Sequence, residues 1–361
     1  MGAEKTPIVI SSRRRPLAVC VAAVVAIAAA TACGTPSQDR NAAELAAKTV
    51  KASGGTPADG PTIRVGVNDP DQRVVAVLEY LPANVTVAAG QTVTWTWDGT
   101  IEPHSVTFFP PGRTAPPPGS DRTLFGPTSP PAVTYDGTAL VNSGLAPLGP
   151  QAVVPFQLSF SRPGTYTYSC VIHPQMVGTV TVVPAGGAVD SAGEVKARGD
   201  REAAQWLAEG RAALQQLVSA PPASTRNADG TTTWRIRMGA STPHTDILAF
   251  APVPQNVKPG DAVTFVNGSG APHTATFFGT QPPIMNPLDP RVEQPAPGPS
   301  PQPLNGRDLF NTGLVPPDAP PGAAPPEAAR SFTFVVPAAG EFPYVCILHA
   351  PSGMGGVIKA S

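Results

Sequence analysis

A thiol, an imidazole and a thioether fall within seven positions in "YSCVIHPQMVG", residues 168–178, as Cys170, His173 and Met176. The same order returns in "YVCILHAPSGMGG", residues 344–356, as Cys346, His349 and Met354. Each half adds a distant histidine beside a proline, His104 in "EPHSV" and His273 in "APHTA". A deprotonated cysteine is a soft, strong donor; a neutral imidazole is borderline; a thioether is soft and weak. Two histidines and a cysteine, with a weak methionine on the axis, form the donor set that suits copper in one-electron chemistry. A structural zinc site takes four strong N or S ligands, and methionine is a poor fourth. The chain has five histidines. Four of them occupy these repeated positions, whereas His244 in "STPHTDI" has no counterpart and reads as a surface-loop residue.

The elements that must position these residues are themselves repeated. "IRVG" (63–66) returns as "IRMG" (236–239), and "LVNSGLAP" (140–147) as "LFNTGLVP" (309–316). "FQLSFSRPGTYTYSCVIH" (156–173) returns as "FTFVVPAAGEFPYVCILH" (332–349). The order is kept, so one ancestral unit has been duplicated. "TVTWTW", "SVTFF", "FQLSF", "TYTYSC" and "TVTVV" are rich in β-branched and aromatic residues and are separated by Gly- and Pro-containing turns. They predict an all-β sandwich in each half. Residues 110–155 and 279–330 are proline-rich and read as surface loops, because proline cannot feed a central ladder. Between the halves, residues 191–220 predict a helix, with a capping box from Ser191 and Glu194. Ala203, Trp206, Leu207, Gly210, Leu214, Leu217 and Val218 form an apolar stripe on it that predicts packing against one or both sandwiches.

Composition narrows the function classes. The formal net charge is −1 and no basic tract interrupts the body of the chain, which leaves no footprint for nucleic acid. Cys20 and Cys33 lie in an N-terminal segment with Arg13, Arg14 and Arg15 ahead of an apolar run, as in a signal sequence. The run ends at "ATACG", similar to a bacterial lipoprotein cleavage box, which would make Cys33 the lipidated first residue. Ordinary signal cleavage and an uncleaved anchor are the alternatives. The expected layout is a signal over 1–32, a flexible tether over 33–60, a first domain over 61–184, a helical linker over 185–230 and a second domain over 231–361.

Both halves resemble the cupredoxins, the small blue copper proteins of the plastocyanin family. The likeness rests on the Pro-His motif, the Asn-Ser/Thr-Gly turn, Pro-Gly-x-Tyr or a variant of it, and Cys-x2-His-xn-Met. The gap before Met176 is similar to that of amicyanin and the gap before Met354 to that of plastocyanin. The resemblance implies two Greek-key β-sandwiches, each holding one copper. His104, Cys170, His173 and Met176 would hold the first, and His273, Cys346, His349 and Met354 the second. It implies that His173 and His349 lie near the surface and pass electrons, with Pro174, Ala350 and Pro351 as an uncharged docking rim. It also implies that the Asn267 position stiffens the cysteine loop; Trp97 replaces it in the first half. The expected role is an exported one-electron carrier, lipid-anchored on the outer face of the cytoplasmic membrane or else periplasmic or extracellular, exchanging electrons with redox proteins and not itself an enzyme. Copper buffering or delivery is the alternative. A nitrite reductase or multicopper oxidase would need additional histidines of the His-x-His or His-Cys-His kind, which the sequence lacks.

Overall fold

The computed structural model describes residues 60–117, 119–148, 152–282, 300–318 and 326–361. The signal, Cys33 and the tether up to residue 59 lie outside the described residues.

The first half contains β1 (Thr62–Asn68), β2 (Val75–Leu81), β3 (Asn84–Ala88), β4 (Thr92–Thr96), β5 (Thr107–Phe108), β6 (Ala132–Tyr135), β7 (Val141–Asn142), β8 (Phe156–Phe160), β9 (Gly164–Ser169) and β10 (Val177–Val183). Helix α1 (Ala192–Ser219) follows. The second half contains β11 (Ala223–Arg226), β12 (Thr232–Ser241), β13 (Thr245–Ala251), β14 (Ala262–Asn267), β15 (Thr276–Phe277), β16 (Gln302–Pro303), β17 (Phe310–Asn311), β18 (Ser331–Val335), β19 (Gly340–Val345) and β20 (Gly355–Ala360).

The two halves are not separate beads. Their outer sheets join into one eleven-stranded sheet in the order β6-β8-β4-β1-β2-β13-β12-β14-β18-β16, with β11 beside β12. The join is an antiparallel pairing of β2 with β13, in the register Val75↔Ile247, Ala76↔Asp246 and Val77↔Thr245. Val75 and Thr245 each begin their strand, so the register reads the same from either side. It has the symmetry of an isologous two-fold contact centred on Ala76 and Asp246. Each half closes its sandwich with a smaller sheet, β3-β10-β9-β5-β7 in the first and β17-β15-β19-β20 in the second. The cores are aromatic: Trp95, Phe108, Phe160 and Tyr168 in one, Phe265, Phe277, Phe334 and Tyr344 in the other.

The join is covered on both faces. Every residue of β2 is buried, and so is most of β13. Ala76 and Leu78 point into the core of the second half, while Tyr80 enters the first. Val77 and Leu81 meet Ala203 of α1, and Val75, Ile247 and Ala251 meet Leu217. The helix therefore lies over the seam. Ser191 and Glu194 form the capping box at its start. Arg211 Nε donates to buried Asp69, and Arg64 Nη2 donates to the Gly199 carbonyl at 3.2 Å. Of the apolar stripe, Ala203, Gly210 and Leu217 are buried, whereas Val218 is exposed. His244 also belongs to the seam: its Nδ1 lies 2.9 Å from Glu79 Oε1 and its ring stacks on Trp206.

The proline-rich segments are not plain loops. The first supplies edge strand β6 to β8 and β7 to β5; the second supplies β16 to β18 and β17 to β15. These additions sit at sheet edges, where a missing N–H is tolerated.

The seam makes a stability prediction. A Cβ at Gly199 would lie 2.6 Å from the Leu81 carbonyl oxygen, a backbone atom that cannot step aside. Gly199→Ala therefore loses about 1–3 kcal/mol to overpacking, against the roughly 1 kcal/mol that alanine normally gains in a helix. Gly193→Ala in the same helix meets nothing within 4 Å. Urea unfolding midpoints should fall for the first and stay level or rise for the second.

Candidate metal centres

Each upstream histidine sits just ahead of a two-residue strand, β5 or β15, and is held by its backbone. His104 N donates to the Ala146 carbonyl at 2.8 Å and Ala146 N returns a bond to His104 O at 3.0 Å. His273 and Val315 exchange the same pair at 3.2 and 2.8 Å. Ala146 and Val315 end the repeated "NSGLA" and "NTGLV" turns, which is what those turns do for the site. The repeated "IRVG" and "IRMG" act on the other side. Gly66 and Gly239 interrupt the pairing of β1 and β12 as bulges with φ of +70° and +75°. A Cβ there would lie 2.6 Å from His104 Nε2 or 2.9 Å from His273 Nε2. Only glycine combines that φ with that approach.

The downstream residues come from the turn that leaves β9 or β19. Cys170 N donates to Met176 O at 3.1 Å, and Cys346 N to Met354 O at 3.0 Å, which closes each turn around its histidine. Sequence-distant residues thereby converge. In the first half the donor atoms of His104, Cys170 and His173 lie within 4.8 Å of one another, and in the second half so do those of His273, Cys346 and His349. The two Nδ1 atoms face each other at 3.0 Å in the first group and 3.1 Å in the second. Cys170 Sγ is 3.6 Å from His173 Nδ1, and Cys346 Sγ is 3.3 Å from His349 Nδ1. Both thiols are free. Met176 and Met354 are fully buried.

Burial sets the protonation of these groups. It pushes the imidazoles down, His173 to about 4 and His273 to about 3, with His104 and His349 also well below the ordinary value. The rings are therefore neutral at physiological pH, and each offers a lone pair. Burial pushes the Cys170 thiol up, and the Cys346 thiol to about 11. Backbone donors face each sulfur, among them Ser105 N at 3.4 Å and Thr274 N at 3.3 Å. The hydroxyls of these two residues accept from Val171 N and Ile347 N, tying the histidine strand to the cysteine loop. A hydroxyl relay extends from each to an asparagine of the repeated turn: Ser105–Thr107–Asn142, and Thr274–Thr276–Asn311. Sequence reasoning passed over Ser105, Thr107 and their counterparts, although "HSVT" and "HTAT" carry the pattern.

Asn267 does not stiffen the cysteine loop. Its Nδ2 donates to Ala271 O and Val315 O, and its Oδ1 accepts from Ser269 N, so it braces the loop that carries His273. Trp97 replaces it by donating Nε1–H to His104 O at 3.0 Å. The outer ring atoms also differ. His273 Nε2 is 2.6 Å from Ser269 Oγ, whereas buried His104 Nε2 has no hydrogen-bonding partner among the described residues. His244 belongs to neither group and lies at the seam.

A buried set of soft sulfur and neutral nitrogen lone pairs, with no side-chain cation among them, fits a thiophilic transition metal and copper in particular. Residues 71–183 match the family described as copper binding proteins, plastocyanin/azurin family. Residues 71–183 are cupredoxin-like. The segment contains His104, Cys170, His173 and Met176, and the second half repeats its motifs and sheet order. Among solved structures, the chain is similar to a methionine-to-glutamine variant of amicyanin in its Cu(I) form, at 20% identity, over 34% of this chain and 80% of that one, with a TM-score of 0.21. It is similar to amicyanin from Paracoccus versutus at 24% identity, over 36% of this chain and 85% of that one, with a TM-score of 0.20. No curated protein matches the chain in sequence.

The protonation states predict how metal uptake depends on pH. The imidazoles are already neutral above about pH 4, while the thiol must lose its proton to bind. Uptake should release about one proton per site, and affinity should rise about tenfold per pH unit between pH 5 and 8. Below pH 4 the slope should steepen as His173 and His273 take up protons. Competition titrations with a chelator of known affinity would measure it; a flat profile would mean the thiols are not ligands.

Proposed function

We propose that the chain is an extracytoplasmic one-electron carrier with two type 1 copper sites, one per half. His104, Cys170, His173 and Met176 hold one copper, and His273, Cys346, His349 and Met354 the other. Bound copper supplies a one-electron couple, Cu(II)/Cu(I), and the chain's residues do the rest. The observation that carries this reading is that both His–Cys–His groups are buried and already converged, so little need move as charge changes. His173 and His349 are 7% and 6% exposed, so only an edge of each ring reaches the surface. Ser105 and Thr274 fix the sulfurs, and the hydroxyl relays fix Ser105 and Thr274. Redox-protein partners would meet the rims around exposed Pro174 and Pro351. Cys33, lipidated after export, would hold the carrier at the outer face of the cytoplasmic membrane.

Loading residues 34–361 with Cu(II) should bind about two coppers per chain and give an intense visible thiolate-to-copper band. Cys170→Ala and Cys346→Ala should each remove one copper and part of the band. A colourless protein, or one whose metal content ignores both substitutions, would sink the reading. The anchor is tested separately: a Cys33→Ala chain expressed in a lipoprotein-processing bacterium should leave the membrane fraction.

A further inference from the structure

The two ligand loops differ in length, and the difference is put to use. Between His349 and Met354 lie Ala350, Pro351, Ser352 and Gly353, where the first loop has only Pro174 and Gln175. Two of the four reach across to the first half. Pro351 O accepts from Arg73 Nη2 at 2.8 Å, and Ser352 Oγ donates to Glu102 Oε1. Glu102 Oε2 also lies 3.5 Å from His349 Nε2. Glu102 is two residues ahead of His104, so one side chain joins the ligand shells of both sites. Its counterpart in the second half is Ala271, in "APH" against "EPH". The link is single, not a by-product of the duplication.

Glu102 is 3% exposed, and burying a carboxylate is costly unless it is paired. The two downstream histidines also open on common ground. His173 and His349 line one cleft of about 440 Å³, walled by Pro103, Ile172, Pro272 and Leu348. Outward-facing ports on two independent carriers would not share a wall. From the His349 ring to His104 the path is one 3.5 Å gap, then the Glu102 side chain and two peptide units. Bonded paths carry electronic coupling far better than open space does.

Resting on the two-copper reading above, we propose that Glu102 joins the centres into one redox unit, so that an electron delivered to either site passes to the other within the molecule. The step moves one electron. The donor site goes from Cu(I) to Cu(II) and the acceptor site from Cu(II) to Cu(I); no bond is made or broken, no proton moves and no further oxidant is needed. Glu102 is a positioning residue: it acts through His349 and through the backbone of His104.

The test uses the full chain with both sites loaded. Pulse radiolysis delivers less than one electron per molecule, and the sites are told apart by the spectra of the Cys170→Ala and Cys346→Ala chains. The expected result is a redistribution whose rate does not depend on protein concentration. Glu102→Ala should slow it at least tenfold at unchanged copper content. Glu102→Gln, which keeps the length and the Ser352 contact, should stay within about threefold. Rescue by Glu102→Gln together with failure of Glu102→Ala is a split that a purely structural role would not give. A rate proportional to concentration, or one untouched by Glu102→Ala, overturns the proposal while leaving the two-copper reading intact. A chain that fails to bind two coppers with the thiolate band fails at the earlier step.

Discussion

The architecture depends on one pairing, that of β2 with β13. An isolated sandwich would leave each of these strands as an open edge, a template for unwanted association. Here each edge caps the other, and the helix between the halves lies over the join. Because the register has two-fold symmetry, the equivalent ends of the two sandwiches are brought together. The same pairing that removes two sheet edges therefore places His173 and His349 on one cleft and the longer ligand loop against Glu102. Small residues are needed where the helix crosses: a Cβ at Gly210 would strike both Val75 and Thr245, one from each half.

Inside each sandwich the balance is between burial and ligation. Four imidazoles and two thiols have been taken out of water, which holds the rings neutral and the sulfurs protonated. Two facing nitrogens about 3 Å apart satisfy each other poorly, since one proton at most can lie between them. The surrounding bonds keep that arrangement from relaxing: the backbone pairs at Ala146 and Val315, the tight approach of Gly66 and Gly239, and the hydroxyl relays to Asn142 and Asn311. The two centres share this frame but not its details. Ser269 holds the outer nitrogen of His273, and Trp97 and Asn267 brace their loops with different chemistry.

Much of this was legible in the chain. The duplicated Cys-x2-His and Pro-His motifs marked the residues that converge as two His–Cys–His groups, and the capping box located the helix start. The seam was less legible. "VAVLEYL" and "TDILAFA" do not alternate apolar with polar, because both faces of these strands are covered, and an unbroken apolar run is what such strands show. The edge strands within the proline-rich segments were hidden for the opposite reason: they are short, and their pairing is decided by neighbours far along the chain. His244 looked idle because its partners, Glu79 and Trp206, lie in the first half and the helix. Glu102 was visible only as the difference between "EPH" and "APH", and that difference has no meaning until the second ligand loop is seen beside it.

The two-fold seam has an evolutionary reading. A pairing with this symmetry is the one that two identical single-unit chains would make as a dimer. In such a dimer every substitution appears twice, and the carboxylate at position 102 of each chain would reach the other chain's ligand loop. Fusion into one chain lifts that restriction. One copy can keep glutamate and a short loop while the other takes alanine and a long one, so the two partners become distinguishable. Directionality, which a symmetric pair of identical centres cannot have, becomes available once both are encoded separately.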